Sequence, residues 1–130
     1  MIKIDHLDHF VMTVRDLDVT IDFYQRVLGM TSQTFGNEQR RSLHFGNQKI
    51  NLHLAGHEFE PKADVALPGT EDLCFITRMP MAEIVAHLQD EQVEIIDGPR
   101  SRMGATHMLN SVYFRDPDQN LIEVSNEVEG

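Results

Sequence analysis

Residues 7–14, LDHFVMTV, predict a β-strand with one imidazole, His9, near its middle. Because side chains of a strand alternate between two faces, His9 shares a face with Val11 and Thr13. A lone histidine among apolar neighbours is most often a core residue with one hydrogen bond. Whether His9 has a chemical role therefore depends on the rest of the chain.

The composition indicates one globular domain. The chain has 130 residues, of which 41% are hydrophobic and 25% are charged, as in ordinary soluble domains. The net charge of −10, with only 11 lysines and arginines, argues against nucleic acid as a partner. The chain lacks the apolar run of a secretion signal or a membrane span, so we expect a cytoplasmic protein with no membrane partner.

The single cysteine, Cys74, excludes an internal disulfide and fits a reducing compartment. Because free cysteine behaves as a small apolar residue, we expect Cys74 to be buried in a strand.

The first half of the chain predicts the order βαβββ. After the strand at 7–14, apolar residues recur at helical spacing until Gly29. Short strands then follow at residues 31–35, 41–45 and 49–54. The turn Gly46-Asn47 joins the last two strands as a hairpin. We place this first module at about residues 1–59.

The second half repeats this order after a connection at residues 60–69, EPKADVALPG, whose prolines and final glycine are typical of a linker. The module at about 70–130 begins with a strand, followed by a helix from Pro80. Its further strands are predicted at 93–96, 108–115 and 120–125, and the segment GPRSRMG (98–104) is predicted to be a loop. The sequence thus predicts a single α+β domain, 1–130, made of two βαβββ modules.

Aligning the two halves brings four possible metal ligands into two pairs of equivalent positions. DHFVMTVRDL aligns with EDLCFITRMP, and FGNQKINLH aligns with FRDPDQNLIE, as expected of an internal duplication. His9 then corresponds to Asp72, and His53 corresponds to Glu123. A buried, uncompensated carboxylate costs several kcal/mol, which a shared cation would offset. We therefore predict a metal site made of these four residues, with carboxylates in water and independent core histidines as the alternative.

Several longer segments resemble a known family. LDHFVMTVRDLDVTIDFYQRVLGM, INLH and YFRDPDQNLIEVSN resemble the vicinal-oxygen-chelate superfamily, which includes glyoxalase I, extradiol dioxygenases and the fosfomycin- and bleomycin-resistance proteins. FEPKA and LIEVSN are similar to the group of glyoxalase domain-containing protein 5 and its bacterial relatives. The resemblance implies paired βαβββ modules in a curved mixed sheet with an open cleft, a divalent metal ion and a homodimer.

The resemblance also implies which residue type stands at each ligand position along the chain. The ligand positions of glyoxalase I hold histidine, glutamate, histidine and glutamate in chain order. His9 and Glu123 match this order, whereas His53 stands in place of a glutamate and Asp72 in place of a histidine. The aspartate is one methylene shorter than glutamate, which leaves a water-mediated contact with the ion open.

Two imidazoles and two carboxylates favour a divalent ion such as Zn²⁺, Ni²⁺, Mn²⁺, Co²⁺ or Fe²⁺. Four protein ligands on an octahedral ion leave two positions for the vicinal oxygens of a small substrate. The ion would polarise a carbonyl and stabilise an enediolate. We therefore predict a metal-dependent glyoxalase-type lyase or isomerase, with Glu123 as the first candidate for the base and Asp72 as the second.

Two other functions remain open. His9, His53 and Glu123 could form the facial triad of an Fe(II) extradiol-type dioxygenase that cleaves a catechol. Alternatively, the cleft could bind a small molecule, such as a drug, without turnover, as bleomycin-resistance proteins do.

Four further residues are candidates for contacts with the small-molecule substrate. Tyr113 and Arg115 alternate before the Asp116-Pro117-Asp118 turn, and an arginine there can bind a carboxylate or phosphate. Pairing of Arg115 with a turn carboxylate is an equally good interpretation. Arg102 lies in the predicted loop and His107 follows it, and such a loop could close over a substrate.

Overall fold

The computed structural model describes residues 1–129 and contains two compact units, Met1–Pro68 and the chain from Gly69 onward. Each unit has one helix and one four-stranded mixed sheet. The predicted α+β class and the βαβββ order of both halves are therefore confirmed, with the strands distributed over two sheets.

None of the helices within residues 1–129 has the length and hydropathy needed to cross a bilayer.

The first unit holds its helix against one face of its sheet. Helix α1 begins where the Asp16 carboxylate accepts a hydrogen bond from the Val19 amide (3.1 Å) and ends at Gly29, whose φ is 67°, a left-handed cap that glycine adopts without strain. The strands follow the order β1-β4-β3-β2, and only β1 and β4 are parallel. The elements are β1 (His9–Val14), α1 (Leu17–Leu28), β2 (Thr31–Phe35), β3 (Arg40–Phe45) and β4 (Gln48–Leu54).

The second unit repeats this topology. Its strands follow the order β5-β8-β7-β6, again with the first pair parallel. Ile84 and Leu88 are the buried residues of its helix, which begins directly after Pro80. The elements are β5 (Asp72–Ile76), α2 (Met81–Asp90), β6 (Asp97–Met103), β7 (Met108–Arg115) and β8 (Leu121–Val128).

The turn between β7 and β8 is a buried polar network. Asp116 accepts hydrogen bonds from the backbone amides of Asp118 (2.9 Å) and Asn120 (3.0 Å) and from the Asn120 side chain (2.8 Å). The Asn120 side-chain oxygen in turn accepts a hydrogen bond from the Glu71 amide (2.9 Å). Buried polar groups are stable when their partners are satisfied, so this network fixes the start of β5 against β8.

One predicted strand is wrong. Residues 93–96 form no strand, whereas β6 runs through most of the segment predicted as a loop. The polar sequence of β6 has no hydrophobic alternation, since five of its seven residues are exposed, including the adjacent Gly98 and Pro99. Pairing with β7 supplies the backbone hydrogen bonds, and a register shift between Asp97 and Arg100 accommodates Gly98-Pro99.

Gly98 should be essential for this pairing. Its φ is 95°, and a Cβ atom there would lie 2.2 Å from the Ser111 carbonyl oxygen. We expect Gly98→Ala to lower the free energy of unfolding by about 3 kcal/mol or more, since left-handed strain adds to a backbone clash. Urea denaturation followed by circular dichroism measures this change.

Gly46→Ala is the matched control. Gly46 also has a positive φ, 51°, but no atom lies within 4 Å of the added Cβ. It should cost only the backbone strain, about 1–2 kcal/mol. Equal losses of stability in the two variants would contradict the proposed contact between Gly98 and β7.

Candidate functional site

A cavity of about 410 Å³ opens on one face of the second sheet. This volume lies within the range of small-molecule sites. Its lining combines carboxylates, one arginine, one histidine and apolar side chains. The lining residues are Cys74, Ile76, Arg102, Met103, Gly104, Ala105, Thr106, His107, Leu109, Tyr113, Glu123 and Glu127.

Strand register brings these residues together. Glu123 on β8 is paired with Cys74 on β5 and with Tyr113 on β7. Directly paired residues of neighbouring strands point to the same face. The centre of the cavity therefore carries a carboxylate between a thiol and a phenol.

Two buried serines extend the environment of Glu123. The Ser125 hydroxyl donates a hydrogen bond to Glu123 Oε2 (3.3 Å) and lies 2.6 Å from the Ser111 hydroxyl. Because Ser125 has one proton, donation to Glu123 requires Ser111 to donate to Ser125. This chain of hydroxyls fixes the orientation of the carboxylate.

The expectation that Cys74 is buried is wrong. Cys74 is exposed, and its Sγ atom lies 3.4 Å from the Ser125 hydroxyl. Burial of the thiol group by its neighbours raises the pKa of Cys74, and the Glu123 carboxylate raises it further, whereas the bond to Ser125 lowers it. The signal was present in the sequence, since period two places Cys74 on the same face as Asp72.

Three of the four predicted substrate residues line the cavity. Arg102 donates a hydrogen bond from Nε to the Tyr113 hydroxyl (2.8 Å), and this bond raises the pKa of Arg102. His107 lies at the β6–β7 turn, with Nδ1 2.9 Å from the Glu127 carboxylate. Arg115 is not among the lining residues; its Nη1 donates to the Gln119 carbonyl oxygen (3.4 Å).

In the first unit, His9 is held by its neighbour. His9 Nδ1 lies 2.8 Å from the Asp8 carboxylate, and the imidazole is exposed. A carboxylate on one ring nitrogen is the arrangement that orients metal-ligating histidines, because it fixes the tautomer and leaves Nε2 for the ion.

His53 has a different environment. It is 5% exposed, packs edge-on against Phe59 at 5.5 Å between ring centroids, and its Nδ1 has no hydrogen-bond partner within the described residues. Burial lowers the pKa of His53, and the nearby Arg40 guanidinium lowers it further. His53 is therefore neutral at pH 7, as a metal ligand must be.

The strand register separates both predicted ligand pairs. His9 is paired with Lys49, so His53 lies four residues further along β4, roughly 13 Å along the strand direction. Asp72 is paired with Leu121, two residues and roughly 7 Å along β8 from Glu123. Its side chain is exposed and does not line the cavity. Within residues 1–129, no three histidine, cysteine, aspartate or glutamate side chains lie close enough to hold one ion.

The register also changes the alignment of the two halves. If β1 and β5 are superposed from their first residues, His9 and Asp72, the structural equivalent of Glu123 is Asn51 and not His53. The Asn51 side-chain oxygen is buried without a hydrogen-bond partner in the described part of the chain.

Comparison with known proteins shows close relatives. Residues 6–124 match the model of the Glyoxalase/Bleomycin resistance protein/Dioxygenase superfamily. Virulence protein STM3117 of Salmonella typhimurium is 50% identical over 125 residues, which cover 96% of this chain and 86% of that protein. Its crystal structure matches with a TM-score of 0.95 over 98% of this chain and 100% of the solved chain. Glyoxalase domain-containing protein RDO1 of Mycosarcoma maydis is 50% identical over 95% of this chain and 69% of its own length.

Other solved structures share the fold. An integron cassette protein from the mobile metagenome of V. cholerae is 52% identical, with a TM-score of 0.94 and coverage of 97% and 98%. Lactoylglutathione lyase from Agrobacterium tumefaciens is 19% identical, with a TM-score of 0.72 and coverage of 95% of both chains. A mutant of the fosfomycin resistance protein FosX from Listeria monocytogenes, complexed with Mn(II) and 1S,2S-dihydroxypropylphosphonic acid, is 18% identical, with a TM-score of 0.65 and coverage of 95% and 90%.

The environment of Cys74 predicts opposite effects of two substitutions. Glu123→Gln removes a negative charge that disfavours the thiolate, so alkylation by iodoacetamide at pH 8 should become severalfold faster. Ser125→Ala removes the hydroxyl that can turn its proton from Glu123 to the thiolate when Cys74 ionises, so the same rate should fall. Mass spectrometry of protein kept in EDTA follows the single thiol, and a shift of both rates in the same direction would contradict the assigned contacts.

Proposed function

The chain belongs to the Glyoxalase/Bleomycin resistance protein/Dioxygenase superfamily, and we propose that it is a metal-dependent lyase or isomerase that acts on a small substrate with vicinal oxygens. The observation that carries this proposal is the Glu123 carboxylate, which lies in a cavity of substrate size and accepts a hydrogen bond from Ser125. An ionised carboxylate beside a bound substrate is the group that proton transfer from carbon requires.

The donor chemistry fits a divalent ion. His9 is oriented by Asp8 so that Nε2 remains for an ion, and His53 is neutral with an unpartnered ring nitrogen. Together with the carboxylates of Glu123 and Asp72, these groups form the nitrogen and oxygen set that Zn²⁺, Ni²⁺, Mn²⁺, Co²⁺ and Fe²⁺ accept. We propose His9, Asp72 and Glu123 as ligands of one ion, contributed across a homodimer, because His53 lies roughly 13 Å from His9 along the strand direction, too far to share that ion.

When bound, the ion supplies a Lewis acid that polarises a substrate carbonyl. Glu123 would take the proton from the hydroxyl-bearing carbon next to that carbonyl and return it to the former carbonyl carbon. The hydroxyl proton of the first carbon would pass to the former carbonyl oxygen, which completes the isomerisation. The Ser111–Ser125 hydroxyl chain holds the Glu123 carboxyl group in place during both transfers. Ile76 and Leu109 provide apolar walls of the cavity for the carbon portion of the substrate.

The names of structural neighbours support an enzyme that uses a divalent ion. One neighbour is a lactoylglutathione lyase, and another was crystallised with Mn(II). Because both are under 25% identical to this chain, they show the shared fold, and the reaction itself rests on Glu123 and its surroundings. The nearer resemblance to glyoxalase domain-containing protein 5 stays a prediction.

Metal binding should depend on both units. We expect His9→Ala and Glu123→Gln each to weaken Mn²⁺, Ni²⁺ or Zn²⁺ binding by about tenfold or more, because loss of even a residue that orients a ligand has an effect of that size. Titration calorimetry with each ion measures the affinity. The matched control is His57→Ala, which replaces an exposed histidine in a loop. Wild-type affinity in both His9→Ala and Glu123→Gln would refute the ligand set.

Activity should depend on Glu123. With metal-loaded protein and the methylglyoxal–glutathione hemithioacetal, Glu123→Gln should lower kcat by about 100-fold or more, the usual contribution of a positioned base. Ultraviolet absorbance of the thioester product measures the rate, and the His57→Ala protein should keep the wild-type value. A mixed dimer of His9→Ala and Glu123→Gln chains should regain activity if each site uses both chains.

Two outcomes would favour the other functions. Oxygen-dependent ring cleavage of a catechol by Fe²⁺-loaded protein would support the dioxygenase. Tight drug binding without a bound ion, unaffected by His9→Ala, would support a binding protein and exclude the metal-dependent enzyme.

A further inference from the structure

Arg102 is a cationic side chain of the cavity whose only ion pair among the described residues is a long one with Asp97. The nearest carboxylate oxygen paired with it, on Asp97, is 3.7 Å from Nη2. That same oxygen is already bound by Arg100 Nη1 at 3.0 Å. The strongest contact of Arg102 is instead with a neutral phenol, the Tyr113 hydroxyl at 2.8 Å.

The bond to Tyr113 fixes the direction in which Arg102 can bind a ligand. A guanidinium group has five N–H donors in one plane, and Nε is occupied by Tyr113. The two protons of Nη1 have no protein acceptor within residues 1–129. Since the arginine side chain is 38% exposed and lines the cavity, these donors are accessible to a ligand.

Tyr113 provides a second donor beside the first. Its oxygen accepts the hydrogen bond from Arg102, so its own proton is available to another acceptor. No protein group in the described chain accepts this proton. A phenol and a guanidinium that donate from adjacent positions are suited to the two oxygens of a carboxylate or to a phosphate.

We propose that Arg102 and Tyr113 form an anion subsite that binds a carboxylate or phosphate group of the substrate, at the side of the cavity away from β5. This inference deepens the proposed function, because it assumes that the substrate occupies this cavity. The substrate class is then a small molecule with a terminal anionic group and an apolar portion that contacts Leu109 and Met103.

The charges around the subsite orient a bound ligand. Glu123 and Glu127 line the same cavity and repel an anion, so an anionic group gains attraction only near Arg102. A ligand held there by its anionic end directs its remaining part toward Glu123. Arg102 and Tyr113 therefore act as specificity-determining residues, and Glu123 keeps the role of the base.

Binding to the metal-free protein tests the subsite without activity. In EDTA, phenylacetate and its neutral isostere phenylacetamide are titrated while NMR follows the Arg102 Nε–H signal, assigned by its loss in Arg102→Gln. Wild-type protein should bind the acid about tenfold more tightly than the amide, as expected of a charge-assisted hydrogen bond. Phenyl phosphate, titrated in parallel, distinguishes a carboxylate subsite from a phosphate subsite.

The variants separate charge from geometry. Arg102→Gln should abolish the preference for the anion, whereas Arg102→Lys should retain part of it because charge remains but the Tyr113 contact is lost. Tyr113→Phe should weaken anion binding severalfold and leave phenylacetamide binding unchanged. Arg115→Gln, at an exposed arginine outside the cavity lining, should match wild type.

Each result decides the inference. A preference that survives in Arg102→Gln, equal binding of acid and amide, or no shift of the Arg102 signal with either anion would overturn it. A preserved anion preference in a protein that binds no divalent ion would leave the subsite standing and refute the proposed metal-dependent reaction. Absence of the anion preference in a wild-type protein that binds a divalent ion would refute the subsite and leave the metal-dependent reaction standing.

Discussion

The pairing of β8 with β5 on one side and β7 on the other determines the chemistry of the second unit. One register sets Glu123 beside both Cys74 and Tyr113, and a shift by one residue would turn every one of these side chains to the opposite face. The buried Asp116–Asn120 turn holds this register, because it joins the end of β7, the start of β8 and the residue before β5.

The polar groups on this face are organised in two separate sets. One set is the hydroxyl chain that ends on the Glu123 carboxylate and orients it. The other is the Arg102–Tyr113 pair, in which a neutral phenol positions a cation without neutralising it. A carboxylate in place of the phenol would hold the guanidinium more strongly but would cancel its attraction for a ligand. Separate donors and acceptors on one face allow a ligand to be oriented.

Several features of the fold and site could be read from periodicity and residue type. The two βαβββ halves, the helix that ends at Gly29 and the hairpin at Gly46-Asn47 were predicted, because each has a strong local signal. β6 was missed, because its backbone is paired by β7 while its polar sequence carries no pattern of its own. The same error placed Arg102 in a loop, although it lies on a strand beside Tyr113.

The sequence by itself determined the family, the order of elements and the residue types available for chemistry, because period, capping residues and turn residues act over a few neighbouring positions. Only the tertiary structure decided which of those residues meet. Long-range strand register placed Asn51 rather than His53 at the position equivalent to Glu123 and brought Cys74 and Ser125 to the carboxylate. Register depends on the backbone hydrogen bonds and side-chain packing between strands far apart in the chain, which an alignment of two short segments does not contain.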